Sequence, residues 1–147
     1  MSRRRARGDD GDLLTRLQGK VEEAQELITV GACSMAEHNE RNAATELGIL
    51  LVESLEGEQG ETGSDPEAAM PSDKGLVRLV AIKDAMSVST EQIAFLKHAV
   101  RYASGSQEPQ AQVLRLSLAR SYEEMDDIGP AARQYAIMGE VPNYLSL

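Results

Sequence analysis

The chain has 147 residues and a formal charge of −9, with one cysteine, one phenylalanine and no tryptophan. That charge argues against phosphate-backbone binding by the body of the protein, since a duplex would repel it, and it favours basic partners. Aromatics at 3% of residues suit helix-on-helix packing better than a β-sandwich, and the lone Cys33 excludes an internal disulfide framework or a Cys-rich zinc site.

The start, Ser2-Arg3-Arg4-Arg5-Ala6-Arg7, has the basic head of a signal peptide, but Asp9, Asp10 and Asp12 fall where its apolar segment belongs. No apolar run approaches the roughly 20 residues that span a bilayer. The expected address is the cytosol, with a nuclear one left open by the four arginines. Residues 1–9 read as a disordered basic tail. From Asp10 a helix is expected, with Leu14, Leu17, Val21, Ala24 and Ile28 recurring at steps of three and four, as on one helix face or a coiled-coil seam. Thr29-Val30-Gly31 weakens that helix, and Ser34 with Glu37 has the spacing of a capping box that opens a second. The second stripe is Ala44, Leu47, Leu51 and Leu55, widened by Ala43 and Leu50. Residues 10–55 thus predict a helical hairpin.

Residues 56–74 are rich in Gly, acids, Ser and Pro, cannot bury enough apolar surface to offset chain entropy, and read as a linker between domains. Next, Leu76 to Ile82 is apolar nearly all round. The β-branched Val77, Val80 and Ile82 would suit a strand, but every neighbour is helical, and a buried helix is preferred. Ser89 with Gln92 forms another capping box, opening a helix with Ile93, Leu96, Val100 and Ala103 inward, and Gly105 stops it. Pro109 suits the first turn of a helix running to about Met125, with Val113, Leu114, Leu118 and Tyr122 on its apolar side. Asp127, Gly129 and Pro130 turn the chain. Pro130 opens a last helix carrying Ala131, Gln134, Tyr135 and Met138, which Gly139 closes. The fold class is all-α, in helical hairpins.

Within residues 112–142, Leu118-Ala119, Tyr122, Ala131 and Tyr135 keep the order of the tetratricopeptide pattern, Leu-Gly, Tyr, Ala, Phe and then Pro. The segment resembles one tetratricopeptide repeat, with small residues that let two helices approach and rings that fill the gaps. Arg115 stands where that pattern has a large apolar residue, and Pro142 comes one residue early. A fainter copy covers residues 75–104, with Val80-Ala81 in the Leu-Gly place and Asp84 where Tyr is wanted. The resemblance implies a helical repeat domain over residues 75–147 whose first helices line a groove for a partner helix or peptide. The matching groove positions are Val113, Leu116, Arg120, Glu123 and Glu124, with Arg120 suited to a carboxylate. Taken singly, each of these also reads as a solvated helix-face residue.

Other signals are weaker. Cys33, Glu37, His38 and Glu40 lie within eight residues but lack a metal-site spacing. Neither His38 nor His98 has a companion in a catalytic order. Gly57, Gly60 and Gly63 are followed by no Lys-Ser/Thr, and Glu58 and Glu61 would repel phosphate. The tripeptide Arg7-Gly8-Asp9 has no export signal to support it, and Asp126-Asp127 sits at a turn. No catalytic, cofactor or metal role is therefore assigned. The expectation is a non-enzymatic interaction module, an adaptor or scaffold. Its rival is a self-associating structural or regulatory protein, or a small dedicated chaperone, assembled through the Leu14–Ile28 seam. A nucleic-acid binder acting through the arginine arm comes last.

Overall fold

The computed structural model describes residues 2–61 and 71–139, which hold six helices and no strand. These are α1 (Ser2–Glu37), α2 (Arg41–Glu61), α3 (Asp73–Ala85), α4 (Thr90–Ala103), α5 (Pro109–Glu124) and α6 (Ile128–Met138). The side chain of Leu14, residues 62–70 of the expected linker and Pro142 lie outside the described residues.

The helices pair as hairpins and stack in two layers. In the first layer α3 packs between α1 and α5; in the second α2 packs on α4, and α4 also packs on α5. Contacts between layer mates climb in step. Glu22 meets Lys74, Gln25 meets Arg78 and Cys33 meets Ala81, so α1 and α3 are parallel. Thr45 meets Glu91 and Glu56 meets Arg101, so α2 and α4 are parallel too. Among the described helices, α6 packs on α5 alone.

One cluster of buried side chains runs from Ala32 to Tyr135 and takes in Leu51, Leu55, Leu76, Leu79, Ile82, Phe95, Leu96, Leu114 and Leu118. Residues 76–82 are helical, with Leu76, Leu79 and Ile82 fully buried. Phe95 is seated against α2 because Gly48 lacks a side chain: a Cβ there would lie 2.5 Å from the ring. Gly75, near the start of α3, is equally tight, since its Cβ would meet Ser72 Oγ at 2.8 Å and Leu55 at 2.9 Å. Ser72 caps α3, its Oγ accepting from Gly75 N at 3.0 Å, and its own N–H donates to the Tyr102 hydroxyl at 2.9 Å.

Several elements differ from the sequence expectation. The backbone is helical from Ser2, so the tail expected over residues 1–9 is drawn into α1; Ala and Arg are good helix formers, and extending an existing helix costs less than nucleating one. The Ser34–Glu37 spacing opens no helix. α1 runs on to Glu37, the Ser34 carbonyl accepts from the His38 amide, and Asn39 turns the chain at φ 60°, a conformation that Asn tolerates. Thr29 does not break α1, because its hydroxyl bonds back to the Gln25 carbonyl at 2.7 Å. At the linker's ends, α2 continues to Glu61 and α3 begins at Asp73. α6 starts at Ile128, leaving Pro130 as its third residue, where the missing N–H costs no intrahelical bond.

The largest difference is the face that α1 buries. Leu17 is 49% exposed, Val21 36%, and Ala24 is also exposed, whereas Gln25, Thr29 and Ala32 point inward. The hairpin register explains this. Gln25 lies opposite Ser54 and Gly31 beside Leu47, which places the end of α2 near the level of residue 17. At 36 residues against 21, α1 overhangs its partner by about 20 Å at 1.5 Å per residue. On α2, Leu50 of the expected stripe is exposed and Val52 is buried instead.

Gly48→Ala should destabilise the protein by about 1–3 kcal/mol through the clash with Phe95. Gly57→Ala, with open space at its Cβ, should stabilise it by about 0.5–1 kcal/mol. Thermal or urea melts of the two variants check this, and equal shifts would contradict the packing described. Ser121→Ala should cost about 1–3 kcal/mol in the same assay, because it strands the buried Gln92 Oε1 that the Ser121 hydroxyl now reaches at 2.9 Å.

Candidate functional site

α5 is positioned by its ends and its small residues. Pro109 occupies the first turn. Arg115, the departure from the repeat pattern, reaches back to the end of α4, donating to Ala103 O at 3.0 Å and Ser106 O at 3.2 Å. It satisfies carbonyls that the helix leaves unpaired and places a cation at the negative end of the α4 dipole. Ala119 and Ala131 are both fully buried where α5 and α6 pack, with Leu118, Tyr122 and Tyr135 around them. Asp127 N donates to Tyr122 O at 2.8 Å across the turn, where Asp126 adopts φ 59°. Gly139 closes α6 at φ 73°.

This framework turns one stripe of α5 outward. Val113, Leu116, Arg120 and Glu123 recur at steps of three and four and share a helix face. Val113 is 39% exposed, Leu116 and Glu123 are half-buried, and Arg120 is exposed. Glu124 is exposed one position off the stripe. At the N-terminal end, Val113 and Leu116 join Gln112 and Met138 of α6 around a notch of about 140 Å³. At the other end the surface becomes polar. Helical side chains lean toward their own N-terminus, so the Tyr135 ring reaches from α6 to the level of Arg120 and Glu123. Burial pushes the Tyr135 phenol above its ordinary range, and the Glu123 carboxylate raises it further while Arg120 opposes. Glu123 Oε1 and the Tyr135 hydroxyl are both buried without a closed hydrogen bond.

The groove positions taken from the sequence thus lie on one stripe, apart from Glu124. The sequence reading missed Met138, Gln112 and Tyr135 as its second wall. Their signal was the antiparallel pairing of α5 with α6, which sets residue 113 opposite 138. A wider depression of about 390 Å³ opens between α4 and the α5–α6 turn, lined by Ile93, Lys97, Tyr122, Met125, Asp126 and Asp127.

The remaining sequence candidates are dispersed. Cys33 Sγ faces the Ala81 carbonyl at 3.6 Å, its pKa raised by burial and then by Glu37 and Asp84. The His38 ring meets its own helix at Ser34 O, 2.7 Å away, and His98 lies 3.3 Å from Arg101 on the surface. Among the described residues no three His, Cys, Asp or Glu side chains converge as metal ligands, and no helix is long and apolar enough to cross a membrane.

The model of the family described as Golgi to ER traffic protein 4 matches residues 18–147. Curated relatives include the Golgi to ER traffic protein 4 homolog of Gallus gallus, 35% identical over 88 residues, which are 60% of this chain and 26% of that protein. The Bos taurus homolog is 33% identical over 88 residues, 60% of this chain and 25% of that protein. The chain spans about a quarter of the length of these relatives. No solved structure matches it. The family match begins inside α1 and takes in all five later helices, so the chain belongs to the Golgi to ER traffic protein 4 family.

Proposed function

We propose that this protein is a non-enzymatic adaptor of Golgi-to-ER traffic, built as a tetratricopeptide-like stack of hairpins. It holds a partner helix or peptide on the α5/α6 groove through Val113, Leu116, Arg120 and Glu123, with Glu124 at the rim. The observation that carries this reading is the form of the groove: an apolar notch at Val113, Leu116 and Met138 continuing into buried, unpaired polar atoms at Glu123 and Tyr135. A solvated helix face needs neither feature, while a helix-in-groove site uses both, with apolar anchors for affinity and polar groups for register. The family name on the relatives supports the traffic role, and the cytosol, or the nucleus, is the compartment this reading assigns.

Val113 and Arg120 are the exposed members of the stripe, so changing them leaves the core intact. Val113→Asp with Arg120→Glu should leave the helical circular-dichroism signal and melting temperature unchanged, and should reduce capture of partners from native extract at least tenfold. Undiminished capture would remove the groove from the mechanism.

One observation favours a second reading, self-association. Leu13, Leu17 and Val21 are 53%, 49% and 36% exposed at four-residue steps on the overhanging part of α1, a ready seam for another helix. If copies pair there, light scattering will show a dimer that Leu17→Lys with Val21→Lys converts to monomer. A wild-type monomer at high concentration refutes it.

A further inference from the structure

Two hairpins of this fold bury a glutamine, and in each case the first helix of the next hairpin completes it. Gln25 of α1, 2% exposed, accepts from Arg78 Nη1 of α3 at 2.8 Å. Gln92 of α4, 4% exposed, accepts from the Ser121 hydroxyl of α5 at 2.9 Å. The third hairpin also buries polar groups on its open side: Tyr135 is 2% exposed, and its hydroxyl and Glu123 Oε1 lack hydrogen-bond partners. Among the described residues no following helix supplies a donor. Buried oxygens of this kind are costly unless something donates to them.

The missing group has a definable chemistry. A carboxylate oxygen beside a phenol oxygen, both able to accept, suits a planar cation with several N–H donors. The surroundings are acidic: Glu124, Asp126 and Asp127 are exposed nearby with Arg120 as the local cation, and the C-terminal end of the α5 dipole points here. The position along the groove is also fixed. Leu116 and Glu123 are seven residues apart, roughly 10 Å on a helix, so a helix lying along the groove matches them with its own residues i and i+7. A second copy of the chain would bring another net charge of −9 to an acidic end, which disfavours it as the occupant.

We propose that the α5/α6 groove takes a helix of a partner protein bearing an apolar side chain at one position and an arginine seven residues along. The apolar group fills the notch at Val113, Leu116 and Met138. The guanidinium donates to Glu123 Oε1 and the Tyr135 hydroxyl, as Arg78 donates to Gln25 within the stack. This assignment rests on the groove reading above and adds the cation and its spacing.

The test uses two synthetic amphipathic helical peptides of about 18 residues, identical except for Arg or Glu at the position seven residues after the leading Leu. Both are titrated by fluorescence anisotropy against the full chain at low and high protein concentration. The Arg peptide should bind roughly tenfold tighter, as expected for a charge-assisted buried hydrogen bond. Glu123→Gln with Tyr135→Phe should erase that preference, and Val113→Asp should weaken both peptides alike. Should the double variant fold poorly, Tyr135→Phe alone keeps the ring and should still reduce the preference. Equal binding of the two peptides, lost in Val113→Asp, overturns the arginine assignment and leaves the groove standing. Binding of neither peptide, or binding indifferent to Val113→Asp, overturns both. Self-association of the chain that excludes the peptides makes a second copy the occupant and also overturns the proposal.

Discussion

A buried amide must find partners, and that constraint organises the stack. Gln25 and Gln92 are each nearly inaccessible to water, so every donor and acceptor they carry must be met inside the protein. Gln25 donates to Ser54 across its own hairpin and accepts from Arg78 of the next. Gln92 donates to the carbonyls of Lys83 and Met86 and accepts from Ser121 of the next. A slip of one residue at either seam would orphan a buried polar atom, whereas an aliphatic seam could slide at little cost. These amides therefore fix the register, and the hydrophobic surface supplies the driving force.

The two layers divide the work. On the second layer, Phe95 lies over Gly48, and Thr45–Glu91 and Glu56–Arg101 bond beside it. The backbone approaches closely there and the ring is fully buried, so this seam is rigid and apolar. The first layer is joined by longer polar side chains, Arg78 to Gln25 and Lys74 to Glu22. The Lys74–Glu22 pair at 3.6 Å is exposed and contributes little to stability. A stack held tightly on one side and chemically varied on the other presents its selectivity on the varied side, which is where the α5 stripe lies.

Much of this was readable from the sequence, for local reasons. The Ser89 cap, Pro109 at a helix start and Gly139 in the left-handed conformation are signals confined to a few residues, and the structure shows each in place. The Ser89–Gln92 pair forms only half a capping box, since the Gln92 amide turns into the core instead of back to the cap. Two signals misled because tertiary context outweighed them. Ser34 and Glu37 have capping spacing, but Asn39 offers a turn that stays nearly strain-free, so α1 ends later. The Leu17–Val21–Ala24 stripe is regular, but which face of α1 is buried was decided by the register with α2 and by Gln25, a polar residue that hydrophobic periodicity ignores. The groove was half legible for the same reason. Its α5 wall follows from spacing along one helix, and its α6 wall depends on how two helices align.

Arg115 shows how a departure from a repeat pattern can be informative. A large apolar residue at that position would add core surface, whereas Arg115 spends its reach on the terminal carbonyls of α4. Its aliphatic stem can still cover apolar surface while its head bonds to backbone. The exchange gives up some burial and gains a fixed angle between α4 and α5, because two donors from one planar group hold two carbonyls at once. That angle sets how far α5 turns Val113, Leu116 and Arg120 outward. The residue that fits the repeat least well is therefore the one that aims the stripe, and a groove whose wall is oriented by backbone bonds can keep its shape while its exposed side chains vary.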